Sequence, residues 1–229
     1  MASDFDTLLA KCRGPMTYTT PMVRRLREVP PGKTMTRRVI TNLTQNRRGG
    51  WSWKRHAGKR TYYGTFGSRA TEALREFLLN HARFAPGDLA YVAEGLHVNA
   101  GEYSARYTAD ERFAWPLGPF RDQALYAAHW ARKKRPPRFM PKEVARLIHR
   151  IDEVRAEQVQ EISDEDVVAE GIDIGKKPYP IDDHMNRDFD MDFETAFRDV
   201  WNAIHPKPPH DWASNCWNFV YRFHEVARR

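Results

Sequence analysis

The segment Pro30-Pro31-Gly32 constrains the fold most strongly, because it separates a predicted helix from a predicted strand. Proline restricts the residue before it and cannot donate a backbone hydrogen bond, so the helix that begins at Thr20-Pro21 must end there. The next six residues, Lys33–Arg38, predict extended chain and carry one amine, two hydroxyls and two guanidinium groups. Such a set suits an anionic or strongly hydrogen-bonding ligand, and a nucleotide is the obvious example. The alternative is a solvated edge strand with basic side chains.

The composition is that of a chain able to form a packed core. Hydrophobic residues make up 41% of the 229 residues and aromatic residues 12%, which argues against wholesale disorder. No apolar run approaches the length that spans a bilayer, and the first residues lack the positive start and apolar stretch of a secretory signal. Two cysteines, Cys12 and Cys216, make no disulfide framework. We therefore expect a cytoplasmic protein outside the membrane, with no metal and no cofactor.

Positive charge is concentrated between Asn46 and Arg60, in a chain whose formal net charge is +7. Arginine and lysine can contact phosphates, and an exposed tryptophan can stack on a base. The candidate nucleic-acid-binding residues are Arg47, Arg48, Trp51, Trp53, Lys54, Arg55, Lys59 and Arg60. The alternative is a solvated insertion whose tryptophans pack on the body of the protein.

Hydrophobic periodicity predicts helices and strands that are mixed without a repeating strand–helix–strand rhythm. Residues 41–67, rich in Gly, Arg, Asn and aromatic residues, predict a long loop. Helices are predicted over 20–29, 70–81, 163–171 and 193–204, and strands over 33–40, 89–98, 147–152 and 217–223. We therefore predict one α+β domain over residues 1–229, built around a small mixed or antiparallel β-barrel with flanking helices.

Glu94 lies near the middle of the predicted strand 89–98, in an otherwise apolar run. A buried carboxylate needs a partner. We expect Arg37 or Arg38 to be that partner, so that Glu94 belongs to the same pocket as Lys33–Arg38.

Taken in order along the chain, these pieces resemble the ASCH domain, a small β-barrel fold related to the PUA domain, in the form found in phages and prophages. The matching segments cover roughly half of the chain: Pro21–Val23 leading into Gly32–Arg38, Pro86–Asp88 followed by Tyr91–Glu94, Met140–Pro141, Val154–Ser163 leading into Ala169–Ile172, Trp201, and Trp212–Trp217. The resemblance implies a barrel with insertions at about 41–85 and 99–139, in the cytoplasm of a bacterial host cell. This chain has Cys216 where the resemblance implies a proline.

The resemblance implies a nucleic-acid or nucleoside ligand, because PUA-like barrels commonly bind RNA or modified bases. We therefore expect RNA, DNA or a modified nucleoside in a pocket lined by Lys, Thr, Arg and Glu side chains. The ligand-binding candidates beside Lys33 and Thr36 are Thr34, Arg37, Arg38 and Glu94.

The resemblance also implies a second function, since small bacterial ASCH proteins include amidohydrolases that remove the acetyl group from N(4)-acetylcytidine with a Lys, a Thr and a Glu. Lys33 and Thr36 match the Lys-Thr-x-Thr-x-Arg motif of those enzymes, and Glu170 matches the Glu that follows the downstream strand. In this mechanism Thr36 is the nucleophile, Lys33 the base if burial lowers its pKa, and Glu170 the proton shuttle. In an extended strand Lys33 points away from Thr36, so the mechanism requires Lys33 to sit on a turn.

A third function stays open, that of a phage accessory factor that binds a host protein. The basic stretch 46–60 and an acidic segment over 182–194 are the surfaces that could serve it. The sequence carries no prediction of the oligomeric state.

Overall fold

The computed structural model describes residues 4–28, 33–57, 60–69, 71–99, 104–112, 114, 134–172 and 192–229. Within these ranges helices and mostly antiparallel strands are combined, so the predicted α+β class is confirmed. The helices are α1 (Asp4–Lys11), α2 (Thr20–Leu26), α3 (Thr71–Leu79), α4 (Asp164–Ala169) and α5 (Phe193–Ile204). The strands are β1 (Gly14–Thr17), β2 (Met35–Val39), β3 (Leu43–Gln45), β4 (Trp51–Ala57), β5 (Arg60–Phe66), β6 (Leu89–Ala93), β7 (Leu96–Asn99), β8 (Ser104–Tyr107), β9 (Lys134–Arg135), β10 (Leu147–Gln158) and β11 (Trp217–Arg228).

The ends of two helices follow the capping signals in the sequence. The hydroxyl of Ser163 accepts a hydrogen bond from the backbone N–H of Asp166 at 3.3 Å, which begins α4. Gly171 follows this helix with φ +82°, a conformation that glycine adopts without strain. Asp192 caps α5 in the same way, through the N–H of Thr195. No helix in the described ranges combines the length and apolar character that crossing a membrane requires.

The described strands form three sheets, with the orders β1-β6-β10-β11-β2, β3-β4-β5 and β8-β7-β9. β1 pairs parallel with β6, whereas the other recorded pairs are antiparallel. None of these sheets closes into a barrel within the described residues. The chain divides into two compact units, the first over 1–32, 86–152 and 223–229 and the second over 33–85 and 153–222. The single-domain assignment stays a prediction.

The first unit has a core formed by α1, β6 and the strands that follow. Leu9, Ala93, Leu96 and Ile148 are buried together in it. The predicted strand 89–98 is wrong as one element, because β6 ends at Ala93 and β7 begins at Leu96 in another sheet. A Cβ on Gly95 would lie 2.8 Å from the hydroxyl of Thr108. The chain therefore changes sheets at a residue whose missing side chain permits a close approach.

The second unit contains β2, paired antiparallel with β11, and two buried apolar clusters. One cluster joins Ile40, Leu74, Leu78 and Trp217, and the other includes Trp201 and its neighbours in α5. The two elements that the sequence predicted at 33–40 and 217–223 are thus neighbours in one sheet.

The predicted loop over 41–67 is wrong, because β3, β4 and β5 form an antiparallel sheet there. The turn between β3 and β4 is built by Asn46, whose side-chain oxygen accepts the backbone N–H groups of Arg48 and Gly50, both at 3.0 Å. Gly49 adopts φ +77° in the same turn. The Gly, Asn and Arg residues that suggested a loop are therefore concentrated in a tight turn, whereas the aromatic residues lie in the strands β4 and β5.

Candidate functional site

Lys33 lies just before β2 and is 1% exposed. Its ammonium group donates to the Glu170 carboxylate at 2.5 Å and to the Glu170 backbone oxygen at 2.8 Å. A backbone hydrogen bond joins the same two segments, because the N–H of Thr34 donates to the carbonyl of Ala169 at 2.8 Å. The entry to β2 and the end of α4 are therefore held together by both main-chain and side-chain bonds.

Burial lowers the pKa of the Lys33 ammonium below its ordinary value, while the charge of Glu170 and its hydrogen bond oppose that shift. The two effects act on one proton, because burial favours the neutral amine and the carboxylate favours the ammonium.

Arg37 extends this cluster along β2. Its guanidinium contacts Asp166 at 2.8 Å, Glu157 at 3.3 Å and Glu170 at 3.7 Å. Two of its nitrogens, Nε and Nη1, and the Oε1 atom of Glu170 are buried and make no hydrogen bond to a described residue. We name Lys33, Arg37 and Glu170 the Lys33 cluster.

Asp166 connects this cluster to further arginines. Its carboxylate accepts from Arg37 and Arg155 at 2.8 and 2.7 Å, and from Arg222 at 3.2 Å. Burial by itself would raise the pKa of Asp166, but the hydrogen bonds from Arg155 and Arg37 lower it below its ordinary value. Asp166 therefore stays ionised. Asp166 was not among the candidate site residues predicted from the sequence.

Thr36 is 1% exposed and lies opposite Tyr221 in the register of β2 and β11. Since side chains alternate along a strand, Thr36 and Arg38 lie on the face of β2 opposite to Arg37. Lys33 bonds Glu170, which also contacts Arg37. The structure thus brings Lys33 and Glu170 together but sets Thr36 on the other face of the strand.

Glu94 belongs to a different cluster, in the first unit. Its carboxylate accepts two hydrogen bonds from Arg146, both at 2.7 Å, and Arg146 also contacts Asp110 at 2.9 Å. Burial raises the pKa of Glu94, while the hydrogen bonds and charge of Arg146 oppose the increase. The prediction that Arg37 or Arg38 is the partner of Glu94 is therefore wrong. The need for a cation was predictable, but its identity was not, because Arg146 lies 52 positions away.

The basic stretch is split between exposed and buried side chains. Arg47, Arg48, Lys54 and Arg55 are exposed. Lys59 lies outside the described residues, and Arg60 begins β5.

Of the two tryptophans of this stretch, Trp53 belongs to the core and Trp51 is partly buried against it. Trp53 is 4% exposed, with its ring 5.1 Å from that of Phe77. Trp51 packs edge-on against Trp217 at 6.2 Å. The prediction of an exposed stacking platform is therefore wrong for Trp53, and both tryptophans pack on the body of the protein, as the alternative described.

The arrangement of the Lys33 cluster fits hydrogen-bonding and proton-transfer chemistry, because it places an ammonium, a guanidinium and a carboxylate in a buried environment. Comparisons of the chain with protein-family models, with curated proteins and with solved structures found no match.

Proposed function

We propose that the protein recognises a modified nucleoside, alone or within RNA or DNA, and that the Lys33 cluster contacts the edge of its base. The proposal includes a finer fold assignment, in which β2 and β11 form part of the wall of an ASCH-type, PUA-like barrel. The order of the matching sequence segments supports this assignment.

The observation that carries the proposal is a buried donor beside a buried acceptor. Arg37 Nη1 and Glu170 Oε1 lie 3.7 Å apart, and neither makes a hydrogen bond to a described residue. An unsatisfied buried polar atom costs about 1–3 kcal/mol. A ligand that presents an acceptor next to a donor removes both penalties, and the cytosine edge offers this pattern through N3 and N4–H.

The charge balance around the cluster favours a neutral base over a phosphate. The ion pairs of the network join four cations to four anions, namely Lys33, Arg37, Arg155 and Arg222 with Glu153, Glu157, Asp166 and Glu170. A phosphate would bring unpaired negative charge into this balanced set, whereas a base edge adds none.

Calorimetric titration with cytidine, N(4)-acetylcytidine and uridine tests the proposal. We expect the cytidine-type nucleosides to bind more tightly than uridine, whose N3–H and O4 reverse the donor and acceptor. Glu170→Gln should weaken binding about tenfold or more, because a charge-assisted hydrogen bond is lost. The matched control is Glu76→Gln, at an exposed position in α3. The proposal fails if the wild type binds none of the three nucleosides, or if folded Glu170→Gln binds as the wild type does.

A second candidate function is hydrolysis of the acyl-amide bond of N(4)-acetylcytidine. The observation that favours it is the contact of Lys33 with Glu170, together with the lowered pKa of that lysine. The proposed reaction requires the substrate to contact Lys33 as well as Thr36, although Thr36 lies on the face of β2 opposite to Arg37. In it the Thr36 hydroxyl attacks the acetyl carbonyl and passes its proton to neutral Lys33. Lys33 passes this proton through the Glu170 carboxylate to the leaving cytosine N4, and water then adds to the acyl carbon, releasing acetate and restoring the Thr36 hydroxyl.

Turnover of N(4)-acetylcytidine to cytidine, measured by chromatography, tests this second candidate. Thr36→Ser should keep activity, and Thr36→Val should abolish it if Thr36 is the nucleophile. Thr65→Val, at an exposed threonine of β5, controls for a general effect of the substitution. If folded Thr36→Val turned over N(4)-acetylcytidine as fast as the wild type, Thr36 could not be the nucleophile. If the wild type did not turn over N(4)-acetylcytidine, hydrolysis would be excluded and only nucleoside binding would stand.

A further inference from the structure

One face of the sheet β3-β4-β5, in the second unit, carries basic and aromatic side chains together. The register of β4 and β5 places Lys54 opposite Tyr63 and Ser52 opposite Thr65. Residues directly opposite each other in an antiparallel pair lie on the same face. Thr44 of β3 joins this row, because it pairs with Ser52. We name these residues the outer face of the sheet, since Trp53 lies on the other face and is buried.

Tyr63 is the aromatic residue that the sequence analysis missed. Its side chain is 74% exposed. The Lys54 ammonium lies 5.9 Å from the centre of its ring, within the range of a cation–π contact. An aromatic ring stabilises a fold mainly by burial. A ring this exposed contributes little in that way and presents its face to a partner.

The charge of the region has a single sign. Residues 29–71 contain no Asp or Glu. Lys54 on the outer face is exposed, as are Arg47 and Arg48 in the turn that precedes β4. Arg55 is also exposed, but it lies on the face of β4 that carries Trp53. Exposed cations that alternate with an exposed ring complement a polymer with charged phosphates and flat bases.

We propose that the outer face of β3-β4-β5 binds single-stranded nucleic acid, with Tyr63 stacking on a base and Lys54, Arg47 and Arg48 contacting phosphates. The choice of nucleic acid as the ligand class rests on the proposed function. The new elements are that the nucleic acid is single-stranded and that Tyr63 stacks on one of its bases. A single strand is required because the bases of a duplex are already stacked on each other.

Fluorescence anisotropy with labelled strands of about 12 nucleotides, within the roughly 4–16 that comparable sites cover, tests the inference. The strands are a uridine-rich RNA, the corresponding DNA and a duplex of the same length. Either single strand should bind more tightly than the duplex, and the RNA and DNA arms identify the polymer. Tyr63→Ala should weaken binding about tenfold, and Tyr63→Phe should restore it because the ring is kept.

Two further variants separate stacking from charge. Phe139→Ala removes another exposed aromatic ring, 52% exposed in the first unit, and should bind as the wild type does. Lys54→Ala should weaken binding to all sequences and reduce the slope of log K against log salt by about 0.7.

Unchanged binding by Tyr63→Ala, or tighter binding to the duplex than to the single strands, would overturn the inference. The nucleoside titration shows whether the inference about the outer face fails alone or together with the proposed function. A wild type that binds nucleosides but no polymer would overturn the inference alone. A wild type that binds the polymer through Tyr63 but no nucleoside would overturn only the assignment of the Lys33 cluster.

Discussion

Lys33 and Glu170 are 137 positions apart and form one buried ion pair, with side chains 1% and 7% exposed. Removal of one partner leaves a buried charge without compensation, which is more costly than removal of both. The pair is therefore coupled to the stability of the second unit as well as to the proposed site.

A double-mutant cycle measures this coupling. We expect Lys33→Met and Glu170→Gln each to lower the free energy of unfolding by about 3 kcal/mol, and the double variant to lower it by less than the sum. Urea unfolding followed by circular dichroism gives the three values.

The control is the exposed pair Arg13 and Asp88, whose atoms are 2.6 Å apart while their side chains are 53% and 27% exposed. Solvent screens this pair, so its coupling should stay below about 1 kcal/mol. Equal coupling in the two cycles would contradict a special role for burial at Lys33.

Among the secondary-structure elements, the turn between β3 and β4 shows how a segment with the composition of a loop supports a sheet. Gly50 ends the turn, and a Cβ there would lie 2.6 Å from the backbone oxygen of Phe66. Gly67, one residue beyond β5, has no atom within 4 Å of the corresponding position. The two glycines therefore form a matched pair for testing the sheet.

We predict that Gly50→Ala lowers the free energy of unfolding by about 1–3 kcal/mol, because a backbone oxygen cannot move away without distorting the pairing of β4 with β5. Gly67→Ala should change it by no more than about 0.5 kcal/mol. Denaturant unfolding of both variants gives the comparison. A Gly50→Ala protein as stable as Gly67→Ala would show that the turn does not have the described geometry.

At the scale of the whole molecule, the stability of the protein should depend on pH through groups buried in the first unit. His149 is 1% exposed and its ring stacks on Phe223 with centres 4.4 Å apart. Burial, with smaller effects of His224 and Arg228, lowers the pKa of His149 to about 3 from its ordinary 6.5. Between these values the unfolded chain binds a proton that the folded chain does not.

The free energy of unfolding should therefore fall as the pH is lowered from 6.5 towards 3, by up to about 1.4 kcal/mol for each pH unit. For His149 alone this amounts to about 2 kcal/mol between pH 8 and pH 5. His149→Phe removes the titrating group, so its unfolding free energy should fall less over the same interval. Denaturant unfolding at pH 8, 6 and 5 measures both proteins.

Asp110 does not contribute to the pH dependence that the wild type and His149→Phe are compared for, because it titrates below pH 5. Hydrogen bonds from Arg146 and Arg27 lower its pKa to about 2 despite the opposing effect of burial. The stability that it contributes is complete above pH 3.8 and is lost only as the pH falls below that value. Equal pH dependence of wild type and His149→Phe between pH 8 and 5 would contradict the neutral, buried state of His149.

Features that depend only on neighbouring residues were predictable from the sequence. The cap at Ser163, the stop at Gly171, the helix over 193–204 and the extended chain after Gly32 all follow from local chemistry. The choice of Lys33 and Glu170 as candidates also came from the sequence, through the resemblance of their segments to a known family.

Which of these groups contact each other depends on the tertiary fold. It paired Glu94 with Arg146, placed Thr36 on the other face of β2 from Arg37, buried Trp53 and exposed Tyr63. The physical reason is that helix ends and turns are fixed by hydrogen bonds over a few residues, whereas a buried charge or ring is satisfied by any group that the fold brings near. That group can lie more than a hundred positions away, where periodicity and composition carry no information about it.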